Sequence, residues 1–207
     1  MPGALGGGAA GAVLDKAGRA DALAIGPGLG TSGSTIEVIR EILQAVEVPV
    51  VIDADALTTL QGHTGILNTM RAPKVLTPHP GELGRLLDME PAEVDARRLE
   101  LAGKYAVEWD AVLVLKGAPT VIGCPDGSVY INTTGNSAMA TGGSGDVLTG
   151  IIAGLTAQGI SLQEAALAGV YLHGLAGDLA SGGTIGLAAG EISGYLPQAR
   201  RIVEQGE

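Results

Sequence analysis

The sequence has one cysteine, no phenylalanine, a single tryptophan and four tyrosines among its 207 residues. A lone Cys124 excludes an internal disulfide and a cysteine-built metal cage. It also fits a reducing compartment. With aromatics at 2% and hydrophobic residues at 46%, the core has to be assembled from Ala, Val, Ile and Leu, which suits a parallel sheet covered by helices. Positive charge is scarce as well: 12 Lys and Arg stand against 22 Asp and Glu, a formal net charge of −10. Nucleic-acid binding by counterion release needs the opposite balance, so no nucleic-acid partner is expected. A phosphate-bearing small ligand is compatible with this charge, because backbone amides bind phosphate without net positive charge. No apolar run reaches membrane-spanning length, so no membrane partner is expected. Residues 1–18 have neither the charged start nor the long apolar stretch of a signal peptide, and the expected location is the cytoplasm.

What the chain has in abundance is glycine, 34 residues without a Gly-X-Y period, gathered at junctions between apolar runs where tight turns or close ligand approach would need it. Four brief apolar runs read as buried strands: Asp21–Gly26, Val48–Asp53, Lys74–Thr77 and Ala111–Lys116. Between them, Ser34–Val46, Gly81–Asp88 and Pro91–Glu108 carry apolar residues three or four apart, the helical spacing. This alternation predicts a parallel α/β sheet with right-handed crossovers. After Lys116 the pattern changes. Pro119–Gly123 and Ser128–Asn132 flank the turn signal Cys124-Pro-Asp-Gly127 and predict an antiparallel hairpin. Helices are then expected over Gly145–Gln158, Leu162–Ser181 and Ala188–Glu204. No repeat, linker or charge block divides the chain, and residues 1–207 read as one domain.

The strongest local signal is Ala140-Thr-Gly-Gly-Ser-Gly-Asp-Val-Leu-Thr-Gly150, a glycine-rich turn feeding a helix. Gly142, Gly143 and Gly145 let successive N–H groups face a ligand, and the helix N-terminus adds partial positive charge, so the turn can hold a phosphate. Asp146 in the first turn can accept a proton from a hydroxyl that attacks phosphorus; it can equally serve as a helix cap. Ile25-Gly-Pro-Gly-Leu-Gly30 is a strand-to-helix turn that does not match the spaced dinucleotide fingerprint. Asp53 and Asp55 lie at a strand's carboxyl end, where open α/β sheets bind ligands. They can hold Mg²⁺ through water or cap the following helix, the latter being the expected role. In Leu76-Thr-Pro-His-Pro-Gly-Glu-Leu83 two prolines stiffen the loop around His79 and orient its ring for binding. Lys116, at another strand end, can neutralise phosphate charge or snorkel at the surface, and Gly117 permits close backbone approach. His173 falls in an apolar helix and reads as a packing residue. Cys124 has no base beside it and is assigned no chemistry.

Taken in order, GPGLG, DADAL, LTPHPGE, VLKGAPTVI, ATGGSGDVLTGIIAGL and VYLHGLAGDLA resemble the ADP-dependent NAD(P)H-hydrate dehydratase family, a branch of the ribokinase-like superfamily. The resemblance runs from about Asp21 to the C-terminus, and the pairing of PHPGE with GGSGD is its most specific part. It implies a three-layer ribokinase-like fold with a mostly parallel central sheet flanked by helices, and a C-terminal hairpin and helices. It also implies a lyase that dehydrates NAD(P)H hydrate at the expense of ADP or ATP with Mg²⁺, and assembly as a homo-oligomer. Residue by residue, Gly28, Gly30 and His79 match hydrate-binding positions. Lys116, Gly117, Ala118, Pro119 and Thr120 match the nucleotide-binding segment. Gly145 matches a nucleotide contact, with Gly142, Gly143 and Ser144 in the same turn, and Asp146 matches the residue at the hydrate hydroxyl. No protein ligand to a metal is assigned. Members of the family carry a further N-terminal strand-helix-strand segment, and some an epimerase domain; neither is expected in these residues. A vitamin-precursor kinase of the same superfamily and a non-catalytic nucleotide-binding protein are the alternatives.

Overall fold

The computed structural model describes residues 5–183 and 186–206. Six strands form one sheet in the order of the chain: β1 (Leu23–Ile25), β2 (Val50–Ile52), β3 (Lys74–Leu76), β4 (Val112–Leu115), β5 (Val121–Gly123) and β6 (Val129–Ile131). The first four pair in parallel, with Ile25 opposite Ile52 and Ile52 opposite Leu76. β4–β5 and β5–β6 are antiparallel, the second pair joined by the CPDG turn. The expected mostly parallel α/β sheet and its closing hairpin are therefore both present.

Alternation along the strands decides which helices cover which face, because successive side chains point to opposite sides. Val50, Ile52, Leu76, Leu113 and Leu115 join one core, shared with the helices α2 (Gly33–Ala45), α3 (Ala54–Thr59), α5 (Pro80–Leu87) and α7 (Arg98–Glu108). Val51, Val75, Val112, Val114 and Ile122 face the other way, onto α8 (Ser144–Ala157) and α9 (Leu162–Ser181). Both faces of β2, β3 and β4 are buried, so these strands are continuously apolar except at Lys74. A third cluster joins α9 to α10 (Ala189–Gln205) through Ala176, Ile192 and Ala199. The remaining helices are α1 (Ala9–Ala17), α4 (Gly65–Thr69) and α6 (Pro91–Ala96).

The expected helix Pro91–Glu108 is two helices. Arg97 adopts φ −120°, ψ 25°, outside the helical region, and serves as C-cap of α6 and N-cap of α7. Its guanidinium is taken up locally by Glu93 and Glu100, so the break is invisible to apolar spacing. No helix among the described residues is long and apolar enough to cross a membrane.

Candidate active site

The carboxyl ends of β2 and β4 and the first turns of α8 meet at one buried side chain, Asp53. It follows β2 and is only 1% exposed. Its Oδ1 accepts from Lys116 Nζ at 2.7 Å, and its Oδ2 accepts from Thr149 Oγ1 at 2.8 Å. One carboxylate thus ties the end of β2 to the end of β4 and to the first turns of α8. The expected capping role does not hold. Asp53 occupies the N-cap position of α3, yet its side chain makes no cap hydrogen bond, because both oxygens are engaged across the sheet. Asp55 has a different task, accepting the Gly30 amide at 2.8 Å and holding the GPGLG loop over β2.

His79 follows β3 and caps α5. Its Nδ1 accepts the Gly81 and Glu82 amides at 3.0 and 3.3 Å, while Glu82 Oε2 accepts the His79 amide at 2.8 Å, a reciprocal capping box. An accepting Nδ1 puts the proton of the neutral ring on Nε2. Burial pushes the pKa of His79 down, the Glu82 charge opposes that, and Lys116 adds to it. The loop prolines therefore present a neutral ring that is 51% exposed, with its Nε2 3.6 Å from Glu82 Oε1.

Below this rim opens a cavity of about 980 Å³. One wall is the segment Lys116, Gly117, Ala118, Pro119 and Thr120, another is Ser144 and Gly145 at the start of α8, and His79 stands at the edge. Gly143 caps α8 with φ 89°, a left-handed conformation that costs glycine nothing, and it brings no side-chain cap hydrogen bond. The first amides of α8 are left with no capping side chain and Lys116 lies alongside: a Cβ on Gly145 would sit 3.2 Å from its Nζ. A helix N-terminus with an adjacent ammonium is an anion site. Gly142, Gly143, Gly28, Gly30 and Asp146 do not line this cavity. Asp146 sits in the first turn of α8, exposed, with no hydrogen bond from its carboxylate among the described residues, so it is not the helix cap. Gly28 and Gly30 are exposed in their loop.

Two parts of the cavity wall were not legible as site residues. The stretch from Ile131 to Thr141 forms a third side and is docked on α9. There Asp178 accepts the Gly135 amide and the Asn136 amide group, each at 2.8 Å. Gly174 and Gly177 let the segment lie directly on the helix, since a Cβ at either would meet Thr134 or Met139 at 2.2 Å. The second is His173. It packs within α9 as expected, but it also lines the cavity, 3.3 Å from Ser144 Oγ. Burial pushes its pKa down to about 4, with Lys116 adding a smaller push in the same direction and a hydrogen bond to Ser144 opposing. A hint was available: His173 stands three residues after Val170 and next to Gly174, on the side of α9 open to close approach.

His173 gives a pH prediction. Its folded-state pKa lies below its ordinary value of 6.5, so the unfolded chain binds the proton more readily between the two. The stability tied to a neutral His173 is fully present above about pH 6.5 and is lost as the pH falls toward 4. Melting temperatures of the wild-type chain and of His173→Gln, compared between neutral pH and about pH 4.5, should show the smaller drop in the variant. Equal drops would mean that His173 does not contribute to acid lability.

The sequence profile of the NAD(P)H-hydrate dehydratase family matches residues 5–198. The chain belongs to that family. Among curated dehydratase relatives, the bifunctional NAD(P)H-hydrate repair enzyme Nnr of Moorella thermoacetica is 52% identical over 195 residues, which are 93% of this chain and 37% of that protein. The ADP-dependent (S)-NAD(P)H-hydrate dehydratase of Bacillus subtilis is 40% identical over 95% of this chain and 69% of its own length. The chain thus spans little more than a third of the bifunctional relatives. A crystal structure of the Bacillus subtilis ADP/ATP-dependent NAD(P)H-hydrate dehydratase, co-crystallised with ATP and Mg²⁺, superposes with a TM-score of 0.76 at 36% identity, covering 90% of this chain and 68% of that one. Hydroxyethylthiazole kinase from Pyrococcus horikoshii superposes at 0.52 with 16% identity, a likeness of fold alone. The ribokinase-like dehydratase fold anticipated from the motifs is the fold observed.

Proposed function

We propose that this chain dehydrates the S-epimer of NAD(P)H hydrate to NAD(P)H at the expense of ADP or ATP. The observation that carries the reading is the juxtaposition of the cap-free α8 N-terminus, Lys116 and the 116–120 segment around one cavity large enough for a nucleotide, with the free carboxylate of Asp146 just beyond it. The names of the dehydratase relatives support it. In this reading the nucleotide takes the cavity and its terminal phosphate rests at the mouth of α8, where Ser144 and Gly145 line the cavity, and reaches past them toward the turn of Gly142 and Gly143. The hydrate lies on the Asp146 side, between Gly28, Gly30 and the exposed ring of His79.

The chemistry then runs in two stages. Asp146 takes the proton of the C6 hydroxyl as its oxygen bonds to the terminal phosphorus, and the bond from that phosphorus to the leaving nucleotide breaks. The α8 amides and Lys116 stabilise the charge on the transferred group. The ring nitrogen lone pair then expels phosphate from C6, and loss of a C5 proton restores the dihydropyridine. Phosphorylation matters because phosphate leaves where hydroxide would not.

The donor set fits a magnesium ion that arrives on the nucleotide. Among the described residues there is no group of three or more His, Cys, Asp or Glu side chains placed to hold a metal, and Asp53 is already engaged by Lys116 and Thr149. Mg²⁺ keeps several waters and takes phosphate oxygens readily, so it would be held by the nucleotide's phosphates and its own waters, leaving Asp146 free as the base. When bound it would offset phosphate charge. The reading places the enzyme in the cytoplasm, with its single buried cysteine reduced, acting as a homo-oligomer.

The test supplies NADPH hydrate with ADP and Mg²⁺ and follows absorbance at the reduced-nicotinamide band. Recovery that depends on nucleotide supports the dehydratase. A stable phosphorylated vitamin precursor without recovery would make the protein a kinase, and ADP binding without any turnover would make it a binding protein.

A further inference from the structure

We infer that Arg98, outside the cavity, is a positioning residue for the nucleotide-binding segment 116–120; the inference rests on the reading of that segment given above. Arg98 opens α7 and its side chain is only 12% exposed. Its Nη2 donates to the Leu115 carbonyl at 3.0 Å and to the Lys116 carbonyl at 2.9 Å. Its Nη1 donates to the Asp95 carboxylate. The guanidinium meets Gly117 with the edge between its terminal nitrogens, where a Cβ would come within 2.4 Å of both. Gly117 itself has φ 147°, a conformation that side chains avoid. The backbone of the segment therefore turns away from β4 at the point where the guanidinium holds two successive carbonyls.

The two sides of the segment divide the labour. Lys116 to Thr120 present one side to the large cavity. The other side, at Pro119, borders a separate cavity of about 410 Å³ that Arg98 also lines. Arg98 does not line the large cavity, so it acts on a nucleotide only through the backbone it holds. A structural residue of this burial would normally satisfy all its donors, yet Arg98 Nε is buried with no hydrogen-bond partner among the described residues. The side chain is placed for its two terminal nitrogens at the expense of the third: Nη2 holds both carbonyls while Nη1, in the same rigid plane, is held by Asp95, an anchorage that a lysine with its single nitrogen lacks.

The experiment measures ADP dissociation constants by calorimetry and ADP KM and kcat for the wild-type chain, Arg98→Met and Arg98→Lys, with melting temperatures alongside. Arg98→Met should raise both Kd and KM for ADP about tenfold, the loss of charge-assisted bonds to the segment. Because Asp146 and the α8 amides are untouched, kcat should stay within about twofold. Arg98→Lys should recover part of the affinity. If Arg98→Met does not fold, Asp95→Asn carries the test, since that side chain is 57% exposed and its loss frees one guanidinium nitrogen; ADP KM should then rise about threefold. A lower melting temperature with unchanged ADP affinity would overturn the proposal, leaving Arg98 a residue of the fold alone, as would a fall in kcat at constant KM, or unchanged affinity in Asp95→Asn. A wild-type chain that binds no ADP would overturn this inference and the functional reading together, whereas a wild-type chain that binds ADP beside an indifferent Arg98→Met sinks only the inference.

Discussion

Asp146→Asn is expected to lower turnover of NAD(P)H hydrate by about 100- to 10,000-fold, the contribution of a positioned general base, while ADP binding stays within about twofold of wild type. The separation of the two effects follows from where the residue sits. Asp146 does not line the cavity assigned to the nucleotide, and α8 begins on Gly143 without help from any side chain. The asparagine keeps the size of the aspartate and removes only its ability to take a proton. Its effect on folding should be small as well. An exposed carboxylate in the first turn gains about 0.3–1 kcal/mol from the helix dipole, so the melting temperature should fall by no more than a few degrees. Turnover and melting are read on the same preparation. Turnover equal to wild type would remove Asp146 from the mechanism, and loss of turnover together with ADP binding would reassign it to the nucleotide.

The parts of this arrangement that sequence reveals are those written in short-range patterns. The apolar runs of β2, β3 and β4 announce strands buried on both faces. The CPDG turn announces the β5–β6 hairpin, and the glycines ahead of Asp146 announce a helix mouth open to a ligand. What stays hidden is what one residue does for another far along the chain. Asp53 reads as a cap because the helix it would cap is next to it. Its real partners, Lys116 and Thr149, are 63 and 96 residues away, and neither leaves a local signature. Arg98 is hidden for the same reason, being one of two adjacent arginines in a helical pattern. Arg97 breaks that pattern and pairs with exposed glutamates, whereas Arg98 turns inward to β4. The wall from Ile131 to Thr141 shows up in sequence only as small and polar residues after a hairpin. It becomes a wall through Asp178, more than forty residues on.

The Asp53–Lys116 pair is where fold and site depend on the same atoms, and breaking it from either end should be costly. Asp53→Ala removes a carboxylate that is 1% exposed and leaves Lys116, whose side chain is 20% exposed, with Glu82 at 3.7 Å as its nearest remaining acid. Lys116→Met leaves the buried Asp53 carboxylate with Thr149 alone. Removing one member of a buried pair costs about 3–5 kcal/mol. For a chain of this length that corresponds to a melting temperature lower by roughly 10 °C. The double variant Asp53→Ala/Lys116→Met should be less damaged than the sum of its parts, because removing both members leaves no charge orphaned. Stability that adds across the cycle would mean that the contact contributes nothing of its own. ADP binding separates the two single variants further. Lys116→Met loses the ammonium beside the α8 amides and should weaken ADP about tenfold or more, whereas Asp53→Ala keeps that charge and frees it from its partner, so its ADP affinity should hold while its stability falls. If Lys116→Met melts early but binds ADP as wild type does, the lysine is a strut for the sheet ends and the anion site is made by the α8 amides alone.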